Sequence, residues 1–587
     1  MSRRTPCAVA TLVVVFLLAL NVSAARAEAD RDFVPVTDAM LADPADGDWL
    51  SWRRTVDGWG YSPLDQITPR NVGELRMVWT RALDEGSQTG TPLAYGGVMY
   101  MPNPNDVIQA LDGATGDLIW EHRRAIPEDA EMGFLSQNNR NIAIWGSLII
   151  DTSVDDHVFA IDAVTGKMAW ETMVLDYKTQ PALQGAGPII ANGKAVSGRS
   201  CSPRGGPESC VIVAHDAKTG AEVWRRRLIP GPGEPGDETW GGVPFEERKH
   251  VGSWMPPSYD PELNLVYVGT SVTAPAPKFL LGGAENAHLY HNSTLALDGD
   301  TGEIVWYYQH LNDHWDLDHP FERMLVDTAV APAADEVEWI NPAVTPGETR
   351  KVLTGIPGKT GLVYTLDRET GEFLWAKPTV PQNVIIDIDV KTGDVIENPE
   401  VVFREMGQER LICPNMHGGK DWEAGAYSPL THTMYFPLRN MCMPTLVSDD
   451  ASASHPYYAL SVMHELAPGK ENLGTIYAIS VETGATEWLY EQRTSTTSLV
   501  ATGGGLLFGG DTGGRFKAIH QMTGEVLWEV NLGSPVTGYP ITYAVDGRQF
   551  VAVSTGRSAT TSSFLRLTPE VKPAFGNNLF VFALAYD

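Results

Sequence analysis

The phrase LDGATGDLIW at 111–120 returns as IDAVTGKMAW (161–170), HDAKTGAEVW (215–224), LDGDTGEIVW (297–306), LDRETGEFLW (366–375), ISVETGATEW (479–488) and IHQMTGEVLW (519–528). In each copy a short apolar run enters an Asp/Thr-Gly turn, and a second run ends in Trp. Gly supplies a positive-φ turn position, and the Asp and Thr side chains can satisfy free N–H groups in the turn. Upstream of most copies lies another hairpin, such as TPLAYGGVMYMP or NLVYVGTS, which makes about four short strands per repeat. One four-stranded sheet cannot bury both its faces. Packing such sheets radially does so and leaves only short edges. The expected fold is therefore all-β: a β-propeller of four-stranded antiparallel sheets with long functional loops. Seven clear copies and a degenerate one, DVKTGDV at 389–395, point to eight blades, with seven as the alternative. The recurring Trp then packs between blades, and Trp79 in LRMVWT belongs to the blade that joins the two ends of the chain.

The balance of 43 basic against 73 acidic side chains, net −30, argues against nucleic-acid backbone as a partner. Arg3 and Arg4 precede an apolar run from Ala8 to Leu20 and an Ala25-Arg26-Ala27 end. This reads as a secretory leader over 1–27, with 28–587 as one propeller domain. The run is shorter than the roughly 17–25 residues that a membrane span needs, and stable membrane insertion is not expected. Export to the periplasm follows. Cys7 leaves with the leader, so Cys201, Cys210, Cys413 and Cys442 remain in an oxidising compartment. Pairing 201–210 and 413–442 is the economical assignment of the three that four cysteines allow. No C-x-x-C-H is present for covalent haem.

Long connections near 171–200, 228–255, 270–295, 307–350 and 396–425 interrupt the rhythm, and inserts of this kind often build the functional face of a repeat fold. HLNDHWDLDHP at 310–320 places Asp313, Asp316 and Asp318 within six residues. Such crowded carboxylates repel unless a cation or proton intervenes. A hard metal ion would resolve the repulsion and leave a carboxylate beside it as base; a solvated acidic loop is the other reading. SGRSCSPRGGPESC (197–210) reads either as a structural staple or as a loop aiming backbone N–H groups at an anion or ring, with Glu208 as a further metal carboxylate. Trp254, in VGSWMPPSYDP, lies outside the repeated turn and could offer a flat face to a planar cofactor or simply fill core. Arg140 in QNNRN, Lys359 in IPGKTG and the segment CPNMHGGKDWEAGAYSP (413–429) place basic groups on inserts of an acidic protein. IPGKTG lacks P-loop spacing, and neither G-x-G-x-x-G after a strand nor G-x-S-x-G occurs.

These residues together resemble the pyrroloquinoline quinone (PQQ)-dependent alcohol dehydrogenases, over almost the whole chain after the leader. The likeness rests on the repeated (L/I)D-x-x-TG-x-x-x-W phrase, DHWDLD, GIPGKTGLVYTLDRETG, and CPNMHGGKDW with the later Cys442. It implies an eight-bladed propeller that holds PQQ on its axis above Ca²⁺ or a lanthanide, and that oxidises alcohols and passes electrons to a soluble cytochrome c. By position, it implies Asp316 as catalytic base and metal ligand, Trp254 as the floor under the quinone, Arg140 on a PQQ carboxylate, and Lys359 at the quinone oxygens. It also places Asp421 (where Asn is frequent) and Trp422 near the cofactor. Asp318 matches the extra Asp of lanthanide-using members.

The chain departs from the family pattern in several places. Phe134 and Leu135 stand where many members carry vicinal cysteines. Ser200, Cys201 and Cys210 would instead bring a disulfide near the ring, as in a branch close to polyvinyl-alcohol dehydrogenase. Thr89, with Gln88 beside it, replaces a Glu that contacts PQQ; Glu208 is the substitute offered for the metal-binding Glu; Val272 replaces a metal-binding Asn; and Thr496 replaces a Trp over the substrate, which widens the cavity and admits bulky alcohols. The expected activity is oxidation of primary or secondary alcohols by hydride transfer to the quinone. The alternatives are a sugar, polyol or polymeric-alcohol substrate, and a non-catalytic propeller scaffold.

Overall fold

Eight blades, each with a four-stranded antiparallel core, follow one another along the chain in the computed structural model, which describes residues 33–130, 138–183, 185–201 and 205–585; Trp339–Ile340 adds a fifth strand to one blade and Tyr61–Ser62, pairing parallel, to another. The leader, Glu28, Phe134 and Leu135 lie outside the described residues. The blades span 93–123, 143–173, 189–227, 258–309, 324–378, 426–492, 496–531 and 541–584. Within a blade the middle strands are covered on both faces by neighbouring blades, so they are buried almost throughout. In the first blade Val107–Asp112 is buried at five of six positions, whereas the outer strand Leu118–Arg123 buries only Trp120.

Ring closure uses both ends of the chain. Leu75–Ala82 pairs antiparallel with Asn578–Leu584 and becomes the outer strand of the eighth blade, which places Trp79 where the sequence assigned it. The repeated phrase has a double task. Its Asp accepts from backbone N–H groups of its own turn, as Asp162 does from Thr165 N at 2.8 Å. Its Gly takes positive φ (+67° at Gly166) and receives the Trp of the preceding blade. A Cβ at Gly166 would lie 2.7 Å from the Trp120 ring, and one at Gly116 would lie 2.6 Å from Trp79. The indole N–H then donates to the next turn: Trp120 to Ala163 O at 3.1 Å, Trp224 to Gly299 O at 3.1 Å and Trp488 to Gln521 O at 2.7 Å. Glycine is needed at these positions both for its φ and for the ring seated against it.

The degenerate copy at 389–395 does not build a blade. It is the turn of a separate two-stranded hairpin, Ile385–Ile388 with Val395–Glu397. Its glycine packs on blade aromatics, with a Cβ at Gly393 falling 2.7 Å from both Tyr308 and Phe373 and the Tyr308 hydroxyl donating to Gly393 O at 2.6 Å, but it contributes no Trp of its own to a following turn. The eighth blade instead comes from 541–584 and 75–82, which carry no TG phrase. Both disulfides have the economical pairing, Cys201–Cys210 and Cys413–Cys442. Among the described residues, no helix is long and apolar enough to cross a membrane.

Candidate active site

The inserts bring Arg140, Ser200, Trp254, Asp316, Asp318, Lys359, Asp421 and Trp422 to the wall of one cavity of about 430 Å³. Lys359 is its electrostatic centre. The ammonium donates to Asp316 Oδ1 at 2.8 Å and to Asp318 Oδ2 at 3.2 Å, with all three side chains buried. Its own N–H donates to Asp318 O at 2.8 Å, so the two segments are fixed through backbone and side chain together. Asp318 also accepts from Val272 N at 2.8 Å and from Trp254 Nε1 at 3.2 Å. Trp254 is thereby oriented by the acidic loop, and it packs edge-on against Phe321 at 5.4 Å.

Burial separates the two carboxylates. It pushes Asp316 well above the usual carboxylate range, and Asp318 adds to that push against the opposing pull of Lys359. Burial also works upward on Asp318, but Lys359, His250 and the Val272 N–H outweigh it and hold Asp318 low. Lys359 shows the mirror image: burial alone would lower it, and the carboxylates facing it raise it. Asp421, close enough to feel Lys359 and Arg140, is raised by burial as well. One ammonium therefore balances a carboxylate pair, and the more basic member is Asp316. Asp316 also sits at φ +67°, a left-handed conformation that costs a non-glycine residue about 1–2 kcal/mol and persists only where its surroundings impose it.

Arg140 closes another side. Its guanidinium carbon lies 5.2 Å from the centroid of the Trp254 ring, Nη1 donates to Gly185 O at 2.9 Å, and the buried Nε has no hydrogen-bond partner among the described residues. A buried guanidinium with a donor to spare, beside an aromatic ring and a second cation, suits a flat ligand carrying carboxylates.

The structure does not bring every expected residue into the cavity. Glu208 is half exposed and paired with Arg227 at 3.0 Å, because its short helical turn faces outward from the disulfide loop. Gln88 and Thr89 are buried beside the lining residue Asn138, to which Thr89 donates at 3.4 Å, but they do not reach the wall themselves. Cys201 and Cys210 lie directly behind Ser200 without lining the cavity, and Thr496 is spent on the carbonyls of Leu438 and Thr475, both at 3.3 Å. Asp313, the third carboxylate of the loop, turns away into the protein.

The family model for the glucose/ethanol/alcohol dehydrogenase β-propeller domain with PQQ matches residues 49–387 and 470–551. The chain is 32% identical over 597 residues to the quinohemoprotein alcohol dehydrogenase ADH-IIG of Pseudomonas putida, covering 96% of this chain and 80% of that one. The chain belongs to the PQQ-dependent alcohol dehydrogenases. Solved structures agree. The quinoprotein superposes on ADHIIG from Pseudomonas putida HK5 with a TM-score of 0.80 at 30% identity, covering 94% and 83% of the two chains. On a europium-containing methanol dehydrogenase it scores 0.81 at 26% identity, covering 93% and 100%.

Within this quinoprotein, the cavity wall also holds His250, His455 and Tyr458, which lie outside every motif singled out in the sequence. His250 bonds Val272 O through Nδ1 at 2.9 Å, which leaves Nε2 facing Tyr458 OH at 3.2 Å and Ser200 Oγ at 3.4 Å. His455 and Tyr458 come from the excursion between Met441–Val447 and Leu460–Val462, which pair in a sheet outside the eight blades that has no counterpart in the repeat, so only the three-dimensional structure reveals them. The donor set fits PQQ: Arg140 and Lys359 for its anionic edges, Trp254 for its face. For a metal ion the set is hard and oxygen-based but short. Asp316 and Asp318 converge, yet among the described residues no group of three or more His, Cys, Asp or Glu side chains forms a cage. The Val272 side chain belongs to an apolar cluster and adds no ligand.

Proposed function

We propose that this cavity is where the alcohol is oxidised, with Asp316 as the base that takes the hydroxyl proton at its carboxylate. The observation that carries this reading is the convergence of Asp316 and Asp318 on Lys359 Nζ inside a cavity that also holds Arg140 and Trp254. When bound, the quinone accepts the hydride leaving the carbinol carbon. The chain's own residues do the rest. Trp254 and Arg140 hold the cofactor's plane and a carboxylate. Lys359 keeps positive charge beside oxygens that become electron-rich during the reaction. Burial excludes water and makes Asp316 the stronger base of the pair.

A Ca²⁺ or lanthanide ion would be held by Asp316 and Asp318, where it would offset the second carboxylate and help keep Asp316 ionised. The alcohol is the small-molecule substrate. The electron acceptor is an external cytochrome c, supported by a 29%-identical relative described as 1-butanol dehydrogenase (cytochrome c) from Thauera butanivorans. The leader places the reaction in the periplasm. A polyol or polymeric alcohol is the second reading, favoured by the polar wall of His417, His455, Tyr458 and Thr560.

The test is reconstitution of the apoprotein with PQQ and either Ca²⁺ or La³⁺, followed by dye reduction with ethanol, secondary alcohols, glucose and polyvinyl alcohol. Quinone absorbance and alcohol-dependent turnover are expected. Absence of both with either metal would leave a propeller without this chemistry.

A further inference from the structure

Asp313 is fully buried and points away from the cavity, yet its hydrogen bonds bracket Asp316. Its Oδ1 accepts from Trp315 N at 2.6 Å and its Oδ2 from Leu317 N at 2.5 Å, the peptide N–H groups on either side of Asp316 in sequence. Asn292, also fully buried, donates through Nδ2 to Asp313 Oδ2 at 3.0 Å and to Leu317 O at 2.9 Å. The Asp313 N–H donates in turn to His291 Nε2 at 3.0 Å. Behind this lies Lys278, a fully buried cation whose charge acts on Asp313 and whose ammonium donates to Thr273 Oγ1. None of Asp313, Asn292, His291 or Lys278 lines the cavity.

We infer that Asp313, braced by Asn292, is the positioning residue that holds Asp316 in its left-handed backbone conformation and so aims the base at the substrate. The inference rests on Asp316 being the base. Residue 316 sits in a tight loop at φ +67°, a conformation that costs a residue with a Cβ about 1–2 kcal/mol. Charge-assisted bonds from one carboxylate to the two flanking N–H groups exist only while the loop keeps this shape. On the cavity side, the Lys359 ammonium holds the other face of the same residue through Asp316 O at 3.2 Å. If the rear clamp is lost, the apex can relax to negative φ, which swings the Cα–Cβ bond and moves the carboxylate. Asp313 thus acts through Asp316 and touches no reacting atom.

The test uses the holoenzyme reconstituted with PQQ and Ca²⁺, and four measurements: kcat, KM, quinone Kd by equilibrium dialysis, and the isotope effect with an alcohol deuterated at the carbinol carbon. Misplacement of a reacting group by about 1 Å costs on the order of 10²-fold in rate. Asp313→Ala should therefore lower kcat by about 10²-fold, with KM and quinone Kd within about threefold of the parent and a larger isotope effect as the chemical step becomes limiting. Asn292→Ala removes the brace but keeps the clamp, and should lower kcat by about tenfold with the same signature. The double variant should be no slower than Asp313→Ala. If quinone Kd and Tm worsen together while kcat per bound quinone and the isotope effect stay at parent values, Asp313 is merely structural and the inference falls. Should Asp313→Ala fail to fold, Asn292→Ala and Asp313→Asn decide by the same criteria. Asp316→Asn, measured in parallel, separates the two claims: parent-level turnover there would remove the base assignment itself, whatever Asp313 does.

Discussion

Removing the indole at 254 tests the cofactor floor directly, because the structure gives this side chain two separable contributions. Its ring face borders the cavity with the Arg140 guanidinium 5.2 Å from the centroid, and its Nε1–H donates to Asp318 at 3.2 Å. Stacking a planar heterocycle on an aromatic side chain is worth about 1–3 kcal/mol by alanine substitution. At 1.4 kcal/mol per tenfold, Trp254→Ala should raise the quinone Kd by about 5- to 150-fold. Loss of the ring also frees the guanidinium from a cation–π contact worth about 0.5–2 kcal/mol, which pushes toward the upper half of that range. Trp254→Phe keeps a face and discards only the N–H. Its Kd should stay within about threefold of the parent, while the lost bond to Asp318 shows up in turnover. Equilibrium dialysis of apoprotein against PQQ at fixed Ca²⁺, read by quinone absorbance, measures both variants without relying on activity. An unchanged Kd for Trp254→Ala would refute the stacking argument. Equal weakening by Phe and Ala would assign the effect to the N–H instead.

Asp316→Asn should reduce turnover by at least about 10²-fold, the usual scale for a general base, with quinone binding retained. Lys359→Met should shift the acidic limb of the kcat/KM profile to higher pH. Burial already raises Asp316 and the ammonium opposes it, so without the cation the ionised base appears only at higher pH; an unmoved limb would show that Lys359 does not set the base. In the blade sockets, Gly166→Ala (φ +67°, Cβ 2.7 Å from Trp120) should cost about 1–3 kcal/mol more in urea unfolding than Gly146→Ala (φ +58°, open space), since the first adds overlap to a similar backbone penalty. Equal midpoint shifts would mean that the Trp seat carries no energy.

The sequence made the architecture legible because each blade repeats one physical solution, an Asp-capped turn whose glycine accepts a neighbour's indole. The same regularity misled at 389–395, where the turn chemistry is present but the Trp is missing. The hairpin there never joins the ring, and the true closing blade carries no TG phrase at all. At the site, Arg140, Trp254, Asp316, Asp318, Lys359 and Asp421 were readable from short motifs, and the structure gathers all six. Glu208 was misplaced because spacing along the chain says nothing about which way a half-exposed turn faces. Asp313 could not be told from its two neighbours by sequence, since a carboxylate that binds backbone and one that binds a cation look alike until the peptide N–H groups are located. His250 and Tyr458 meet across 208 positions of sequence, and no local pattern encodes that.

Pairing of Leu75–Ala82 with Asn578–Leu584 sets an order of events for the chain. The first-made blade strand must wait, edge exposed, until the last residues of the eighth blade are there to cover it. Because the cavity gathers side chains from inserts of several blades, its wall is complete only once the ring has closed, and a cofactor that needs that whole wall binds after folding is finished.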